Sequence, residues 1–372
     1  GQFGTCRILA QCPVVHDEVR RAGQPMPRYI HNWLQDLMCG IDGTKLKVCC
    51  PTSSTGINNS NPSARNWMEG LARWQVEDND NSSPKDVQHH PNLYLLPTEC
   101  GTSEGNRIFA GQQTVLFEMP WMVILSYNSE FGCGGTLINE RYVLTAAHCV
   151  PLLGTSVRLD GVILGEYNVT TNPDCTVNGD GEKKCAPKQV IVHPGFTHQA
   201  RVDDIALIRL AQPADFSLGS VKPICLPVTH ALQTESLVGK NGIVAGWGFT
   251  ESGFLSSVLL KVNQPILSKE DCNAKYKGSG RYIHVINKQI CAGAINGTGS
   301  CVGDSGGPLT SPAKVGATGV RDVQRGIVSF GPTECGTGYP GVYTNLKRPL
   351  LPKSIQVPSK TDWSLQSVSS LK

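Results

Sequence analysis

A serine set between glycines, in Gly303-Asp304-Ser305-Gly306-Gly307, has the makings of a nucleophile. Glycine accepts backbone angles and close approaches that a Cβ forbids. Such a turn can leave the Ser305 hydroxyl open to a substrate. It can also aim the N–H groups of Gly303 and Ser305 at one point, where a carbonyl oxygen becomes negative during acyl transfer. A serine hydroxyl is a weak nucleophile at its own pKa and needs an adjacent base. His148, in Leu144-Thr145-Ala146-Ala147-His148-Cys149, sits in a motif suited to that work; the other eight histidines read as solvated or packed residues. An imidazole that accepts a proton needs a carboxylate to fix its tautomer and stabilise the imidazolium. Asp203 and Asp204, just before Ile205-Ala206-Leu207-Ile208, are rivals for that role. Successive strand residues point to opposite faces, so only one of them reaches His148.

Short alternating strands must hold these groups. Trp121–Leu125, Val143–Thr145 and Gly326–Phe330 alternate between Gly, Pro and Asn turns, and strands at this spacing argue for an all-β sandwich or barrel. The 372 residues suffice for one large domain and a small one. A net charge of +3, with no Lys/Arg block or aromatic-basic stripe, argues against a nucleic-acid partner. No apolar run has the length of a membrane span. Fifteen cysteines point to an oxidising compartment. Sequons at Asn58, Asn81, Asn168 and Asn296 fit secretion into the extracellular space. The start at Gly1, without Met or a signal peptide, reads as a processed or trimmed secreted product.

The order His148, Asp204, Ser305 is that of the chymotrypsin-type triad. Residues from about Ile108 to Asn345 resemble a trypsin/chymotrypsin-family serine protease domain. The resemblance implies a chymotrypsin-like double β-barrel, two six-stranded barrels with the triad between them. The family carries its carboxylate directly before Ile-Ala-Leu, which selects Asp204 and leaves Asp203 as a solvated charge. It also implies an oxyanion hole of the Gly303 and Ser305 N–H groups. Ser329-Phe330-Gly331 would pair with the substrate backbone as an added strand. Disulfides carry over as Cys100–Cys225, Cys133–Cys149, Cys272–Cys291 and Cys301–Cys335, with Cys175–Cys185 as the remaining local pair.

Residues 100–107 read as an activation segment, and 108–372 as the protease domain. Asn106-Arg107-Ile108-Phe109-Ala110-Gly111 resembles the family's activation site, normally Arg-Ile-Val-Gly-Gly, with Phe109 and Ala110 as departures. Cleavage after Arg107 would free the Ile108 amino group to pair with Asp304, so the chain is expected to be a zymogen. Glu166, Asn168, Thr171 and Asp174 group oxygen ligands in one loop, where family members often bind a structural Ca2+; the hydrolysis itself would require no cofactor. The specificity pocket departs from trypsin. Its base, six residues before the serine, is Gly299 rather than aspartate, and its walls map to Gly331 and Gly341. Without a buried carboxylate, a basic side chain there would be an unpaired charge. An apolar or aromatic preference is expected, which requires an upstream trypsin-like protease to cut at Arg107.

The first fifty residues hold Cys6, Cys12, Cys39, Cys49 and Cys50. So short a segment buries little apolar surface and needs disulfides to hold it. With Gly4-Thr5-Cys6, Cys12-Pro13 and Cys49-Cys50-Pro51, it resembles the clip domain of arthropod clip-domain serine proteases. That resemblance implies Cys6–Cys39 and Cys12–Cys50, with the family's first cysteine lying before Gly1 and Cys49 left without its partner. Residues 51–99, rich in Asn, Ser, Pro and charge, read as a flexible linker, with a helix-compatible patch at Trp67–Trp74. After Leu346 the family normally forms a helix, but Pro349, Pro352 and Pro358 interrupt one here. The reading is a secreted zymogen endopeptidase of an extracellular cascade of the melanisation or Toll-ligand type. Its partners would be a downstream zymogen or pro-ligand as substrate and a serpin-type inhibitor. The alternative is a non-catalytic clip-domain adaptor in the same cascade.

Overall fold

In the computed structural model the described residues are 5–13, 15–16, 38–42, 45–50, 87, 90, 92–102, 112–151, 156–171, 183–196, 201–250, 254–277, 283–293, 299–316, 319–331 and 337–347. The chain divides into two compact units, Gly1–Gln75 and Val76–Lys372.

The first unit contains a three-stranded antiparallel sheet of β1 (Thr5–Ile8), β2 (Met38–Asp42) and β3 (Lys45–Cys50), in the order β1-β3-β2. The register sets Cys6 opposite Cys49, and Cys12 is disulfide-bonded to Cys50. Cys12 and Val48 are fully buried, so the small core is built around the crosslink. The side chains of Cys6, Cys39 and Cys49, and the Trp67–Trp74 patch, lie outside the described residues.

Among its described residues the second unit is all-β apart from two short α-helices and two 3₁₀ turns. Its strands are β4 (Gln112–Gln113), β5 (Met122–Tyr127), β6 (Glu130–Asn139), β7 (Tyr142–Thr145), β8 (Leu159–Leu164), β9 (Lys183–Cys185), β10 (Pro187–Val192), β11 (Ala206–Leu210), β12 (Asn241–Gly246), β13 (Leu260–Leu267), β14 (Gln289–Gly293), β15 (Pro308–Lys314), β16 (Val320–Phe330) and β17 (Pro340–Asn345). They form two sheets of seven, ordered β10-β11-β7-β6-β5-β8-β9 and β12-β15-β16-β17-β14-β13-β4. The first sheet closes through its own chain. Its end strands β9 and β10 are separated only by Ala186, and Pro187, which has no N–H for a ladder, breaks what is otherwise one strand. The second closes because β12 also pairs with β13, while β4 merely adds to β13. Each barrel therefore has six strands in the expected sense. Helices α1 (His230–Thr234) and α2 (Lys269–Lys277) lie outside the ladders, and Thr229 caps α1 by accepting the Leu232 N–H.

Strands β5, β7 and β11 are buried almost throughout, which is why their sequences read as continuous apolar runs. The first barrel's core is packed by Trp121, Val123, Leu125, Val143, Val162 and Ile208, and the second barrel's by Val244, Ile266, Leu309, Val328 and Tyr343. Closing a sheet removes its edges, so the loops are left to carry chemistry. The segment read as a linker is not uniform. Leu93–Leu95 form a 3₁₀ turn, and Asn139 Nδ2 donates to Leu95 O at 3.1 Å, tying this end of it to β6. Cys100 is bonded to Cys225, and Gly101 N donates to Pro223 O at 2.8 Å. Residues 348–372, with the three prolines, lie outside the described residues.

Candidate active site

His148 lies in a 3₁₀ turn, Ala147–Cys149, directly after β7. Asp204 is separated from the start of β11 by Ile205 alone, and β11 pairs with β7, so one ladder brings the two residues together. His148 Nδ1 is 2.7 Å from Asp204 Oδ2, and the His148 backbone N–H donates to Asp204 Oδ1 at 2.9 Å. Ser329 Oγ, from the second barrel, donates to Asp204 Oδ2 at 2.5 Å, and Thr344 Oγ1 donates to Asp204 O at 2.8 Å. Asp204 has no exposed surface. Burial alone would raise its carboxyl, but the bonds from His148 and Ser329 outweigh it and hold the group below the usual carboxylate range. It is a fixed anion facing one nitrogen of the imidazole. The sequence gives Ser329 only a backbone role; the bond from its hydroxyl to Asp204 spans 125 positions and no local motif announces it.

The nucleophile turn packs against the segment that carries His148. Gly134 N donates to Ser305 O at 2.7 Å, and Gly134 adjoins Cys133, which is bonded to Cys149. Gly306 has φ +79°, and a Cβ there would lie 2.5 Å from Gly134 O and 3.1 Å from Cys149 Sγ. Gly303, at φ +100°, would meet Gly248 Cα at 2.9 Å. Both positions therefore need glycine for conformation and for space. Among the described residues no hydrogen bond joins Ser305 Oγ to His148 Nε2. Catalytic hydrogen bonds are often long before substrate binds and tighten in the Michaelis complex.

Asp304 turns away from this cleft. Its Oδ1 accepts the Gly248 N–H and its Oδ2 the Cys301 N–H, each at 2.9 Å. Asp304 as a residue keeps some exposed surface, yet its carboxyl is enclosed, and burial pushes it up to about 6 against the lowering effect of those two bonds. Gly248, which sequence reasoning did not single out, makes the space: a Cβ there would lie 2.5 Å from Oδ1.

Asp203 is not the solvated charge expected from sequence. It is 9% exposed, takes the left-handed φ of +56°, and both its oxygens lie 3.0 Å from Lys288 Nζ. His193 Nδ1 stands 3.9 Å from Oδ2; burial lowers its pKa, Asp203 raises it and Lys288 lowers it, with a net fall. Asp203 turns the chain into Asp204, and Lys288, just before β14, anchors that turn across the barrel seam. Lys288→Met should lower the thermal midpoint by an amount equivalent to about 2 kcal/mol, in the range for a charged hydrogen bond. Adding Asp203→Asn should recover part of the loss, because no unpaired buried charge then remains. Thermal unfolding of the two single variants and the double variant would measure this coupling.

The three residues expected to line the specificity pocket, Gly299, Gly331 and Gly341, are described, whereas 294–298 and 332–336 lie outside the described residues. Gly299 is exposed, and a Cβ there would meet nothing within 4 Å. Gly331 and Gly341 face each other, with a Cβ on Gly331 falling 3.7 Å from Gly341 Cα. Ser300 Oγ and Tyr343 OH lie 3.1 Å apart beside Gly341, and burial keeps the Tyr343 phenol neutral. Ser329, Phe330 and Gly331 run from the end of β16 beside this pocket.

Of the four residues grouped as calcium ligands, Glu166, Asn168 and Thr171 are described. Asn168 Oδ1 accepts the Thr170 N–H and hydroxyl, and Asn168 O accepts the Thr171 N–H and hydroxyl. Those oxygens serve a local turn. Glu166 is 6% exposed beside Met119, Pro120 and Leu259, and Asp174 lies outside the described residues. The disulfides Cys12–Cys50, Cys100–Cys225, Cys133–Cys149 and Cys272–Cys291 are present. Cys301 is disulfide-bonded, while Cys335, Cys175, Arg107 and Ile108 lie outside the described residues.

A carboxylate–imidazole pair beside a glycine-rich serine turn is suited to acyl transfer, and comparison with known proteins agrees. The Trypsin family model matches residues 108–350, and that of the regulatory CLIP domain of proteinases matches residues 1–50. The chain belongs to the clip-domain serine proteases of the trypsin family. It is a serine endopeptidase, and hydrolysis in this family needs no cofactor. Clip-domain proteases similar to it include Melanization protease 1 of Drosophila melanogaster, 34% identical over 92% of this chain and 88% of that protein. The Spaetzle-processing enzyme of the same organism is 35% identical over 92% of this chain and 86% of its own. Among solved structures, the Drosophila Grass clip serine protease of the Toll pathway superposes with a TM-score of 0.56 at 31% identity, covering 92% of this chain and 91% of that one. No helix among the described residues is long and apolar enough to cross a membrane.

Proposed function

We propose that this protein is a secreted zymogen that, once cut after Arg107, hydrolyses a protein substrate after a large apolar or aromatic residue within an extracellular proteolytic cascade. The observation that carries the reading is the buried Asp204 bonded to His148 Nδ1 at 2.7 Å beside the Ser305 turn. With Nδ1–H bonded to the carboxylate, the lone pair of His148 is on Nε2, free to take the Ser305 proton. Ser305 Oγ then attacks the scissile carbonyl, whose oxygen becomes an anion that the Gly303 and Ser305 N–H groups receive. The C–N bond breaks as His148 returns the proton to the leaving amine. Water, deprotonated by His148, attacks the acyl-serine; the ester bond breaks and Ser305 regains its proton.

The enclosed Asp304 supports the zymogen reading. Its carboxyl, raised to about 6, is a buried acid that a cation would stabilise as the anion. The Ile108 ammonium freed by cleavage is the proposed cation, and removing one partner of such a pair typically costs about 3–5 kcal/mol. Cys100–Cys225 would keep the cut pieces together. Gly299, Gly331 and Gly341, which carry no charge, support apolar specificity, and with it a separate trypsin-like activator. The relatives named for melanisation and Spaetzle processing support a place in such a cascade, acting on a downstream zymogen or pro-ligand and controlled by a serpin-type inhibitor.

The test is cleavage at Arg107 by an added trypsin-like protease. The cut protein should hydrolyse peptide amides after Phe, Tyr or Leu, while the uncut protein is inert. The pH dependence has a definite sign. In the uncut chain Asp304 has a folded pKa above its unfolded value, so stability is lost as pH rises from about 4 to about 6. Pairing with Ile108 removes that loss, so the thermal midpoint of the cut protein should gain on that of the uncut protein across the same interval. A gap that stays constant with pH would reject the proposed ion pair.

A further inference from the structure

The chain makes a strained bend just before Asp204. Arg201 and Asp203 both take left-handed backbone angles, φ +48° and +56°. That conformation is costly for a residue with a Cβ and persists only where neighbours impose it. Lys288 holds Asp203, and Gln289 Nε2 donates to Arg201 O at 3.1 Å. The Arg201 backbone is therefore fixed without help from its own side chain. The side chain makes a separate contact: Arg201 Nη1 donates to Ser329 O at 3.4 Å.

Ser329 is placed to serve something other than the sheet. The β16–β17 register passes from Val328 opposite Tyr343 to Phe330 opposite Val342, so Ser329 is a bulged residue, and the pairing of β16 with β15 ends at Ile327. Ser329 thus has no partner in either ladder. Both its oxygens face segment 201–204, Oγ donating to Asp204 Oδ2 and O accepting from Arg201. Of the three residues proposed to pair with the substrate chain, it is the one bonded to the triad. Its carbonyl is therefore the first acceptor that a strand added at the end of β16 would use. That acceptor is already taken: Ser329 is 2% exposed, with the guanidinium on its carbonyl. Among the described residues the guanidinium has no carboxylate partner. A long bond to one neutral oxygen makes a cap that can be displaced rather than a lock.

We propose that Arg201 is an autoinhibitory cap: its guanidinium occupies the Ser329 carbonyl in the resting enzyme and must swing away before a substrate chain pairs with the end of β16. This rests on the protease reading above and adds a restraint that acts on substrate binding rather than on bond breaking. Capped and uncapped forms exchange, and only the uncapped form pairs with substrate, so apparent affinity falls in proportion to the uncapped fraction. One weak hydrogen bond of this kind leaves about one molecule in five uncapped. KM is then raised about fivefold, while kcat, which reports the complex once formed, is unaffected.

The test uses the full chain cut at Arg107, with active sites counted by a fluorophosphonate so that any misfolded fraction drops out. Two peptides share a scissile Phe, and cleavage at that bond is followed by chromatography. In the second peptide the amide joining Phe to the residue before it is an ester, which keeps the shape and removes the N–H that would reach Ser329 O. Arg201→Met keeps the stem of the side chain and loses its donors. It should lower KM for the amide peptide about fivefold at constant kcat, and leave KM for the ester peptide within about twofold of the wild-type value. An unchanged or higher KM for the amide peptide, with wild type still favouring amide over ester, would overturn the cap and leave the protease reading standing. A KM that falls equally for both peptides would overturn it too, since the arginine would then obstruct substrate without competing for the carbonyl. Equal cleavage of the two peptides by wild type would remove the pairing with Ser329, and the cap with it. Neither labelling nor cleavage in the wild type would overturn the protease reading itself.

Discussion

Asp204→Asn is expected to lower kcat/KM by about ten-thousandfold in the cut enzyme, and Ser305→Ala by about a million-fold. The geometry explains the aspartate result. Asp204 Oδ1 accepts the backbone N–H of His148, a donor that cannot rotate away. An asparagine must keep its carbonyl there and turn its NH2 to the Oδ2 site, where His148 Nδ1 and the Ser329 hydroxyl now point. The Ser329 hydroxyl can rotate, but Nδ1 has to become an acceptor. The proton then moves to Nε2, the nitrogen that must take the serine's proton, and the base is lost with little change in the fold. Peptide hydrolysis normalised to folded protein measures both variants. Fluorophosphonate uptake separates them further, being absent in Ser305→Ala and slow but complete in Asp204→Asn. Equal loss of cascade activity and peptide hydrolysis in Ser305→Ala would exclude the adaptor alternative; full retention of cascade activity would favour it.

The residues that were legible in the sequence are those whose chemistry is local. A serine that needs two glycines for its turn carries them alongside, and His148 and Asp204 each adjoin the apolar strand that positions them. The all-β class was legible for the same reason, since period and turn residues are short-range signals, while the two six-stranded barrels were what the family resemblance implied. What escaped was long-range. Lys288 meets Asp203 across 85 positions, and a lone lysine gives no sign that it faces a buried carboxylate. Ser329 reaches Asp204 with its hydroxyl across 125 positions. Gly248 lay in an ordinary strand–turn sequence, and only the position of Asp304 shows why it has no side chain.

Gly299→Asp should turn this enzyme from the apolar specificity proposed for it to basic specificity. Among the described residues the wall beside Gly341 offers a basic side chain the neutral hydroxyls of Ser300 and Tyr343, and desolvating an unpaired guanidinium or ammonium costs several kcal/mol. Nothing lies within 4 Å of a Cβ at residue 299, so a carboxylate enters without moving its neighbours. Pairing it with arginine recovers about 3–4 kcal/mol, a gain of roughly 10²–10³ in kcat/KM after Arg or Lys. The same carboxylate, buried under an aromatic ring, should lower cleavage after Phe by about tenfold or more. The variant also acquires an ability that the wild type is expected to lack. Arg107-Ile108 is itself a bond after arginine, so a trace of cut Gly299→Asp enzyme should cut its own zymogen. Its activation should accelerate with time after a small dose of trypsin-like protease. Wild-type activation should instead stop when that protease is inhibited. Wild-type cleavage after arginine, or self-sustained activation of the wild type, would show that a carboxylate other than one at residue 299 already serves this pocket.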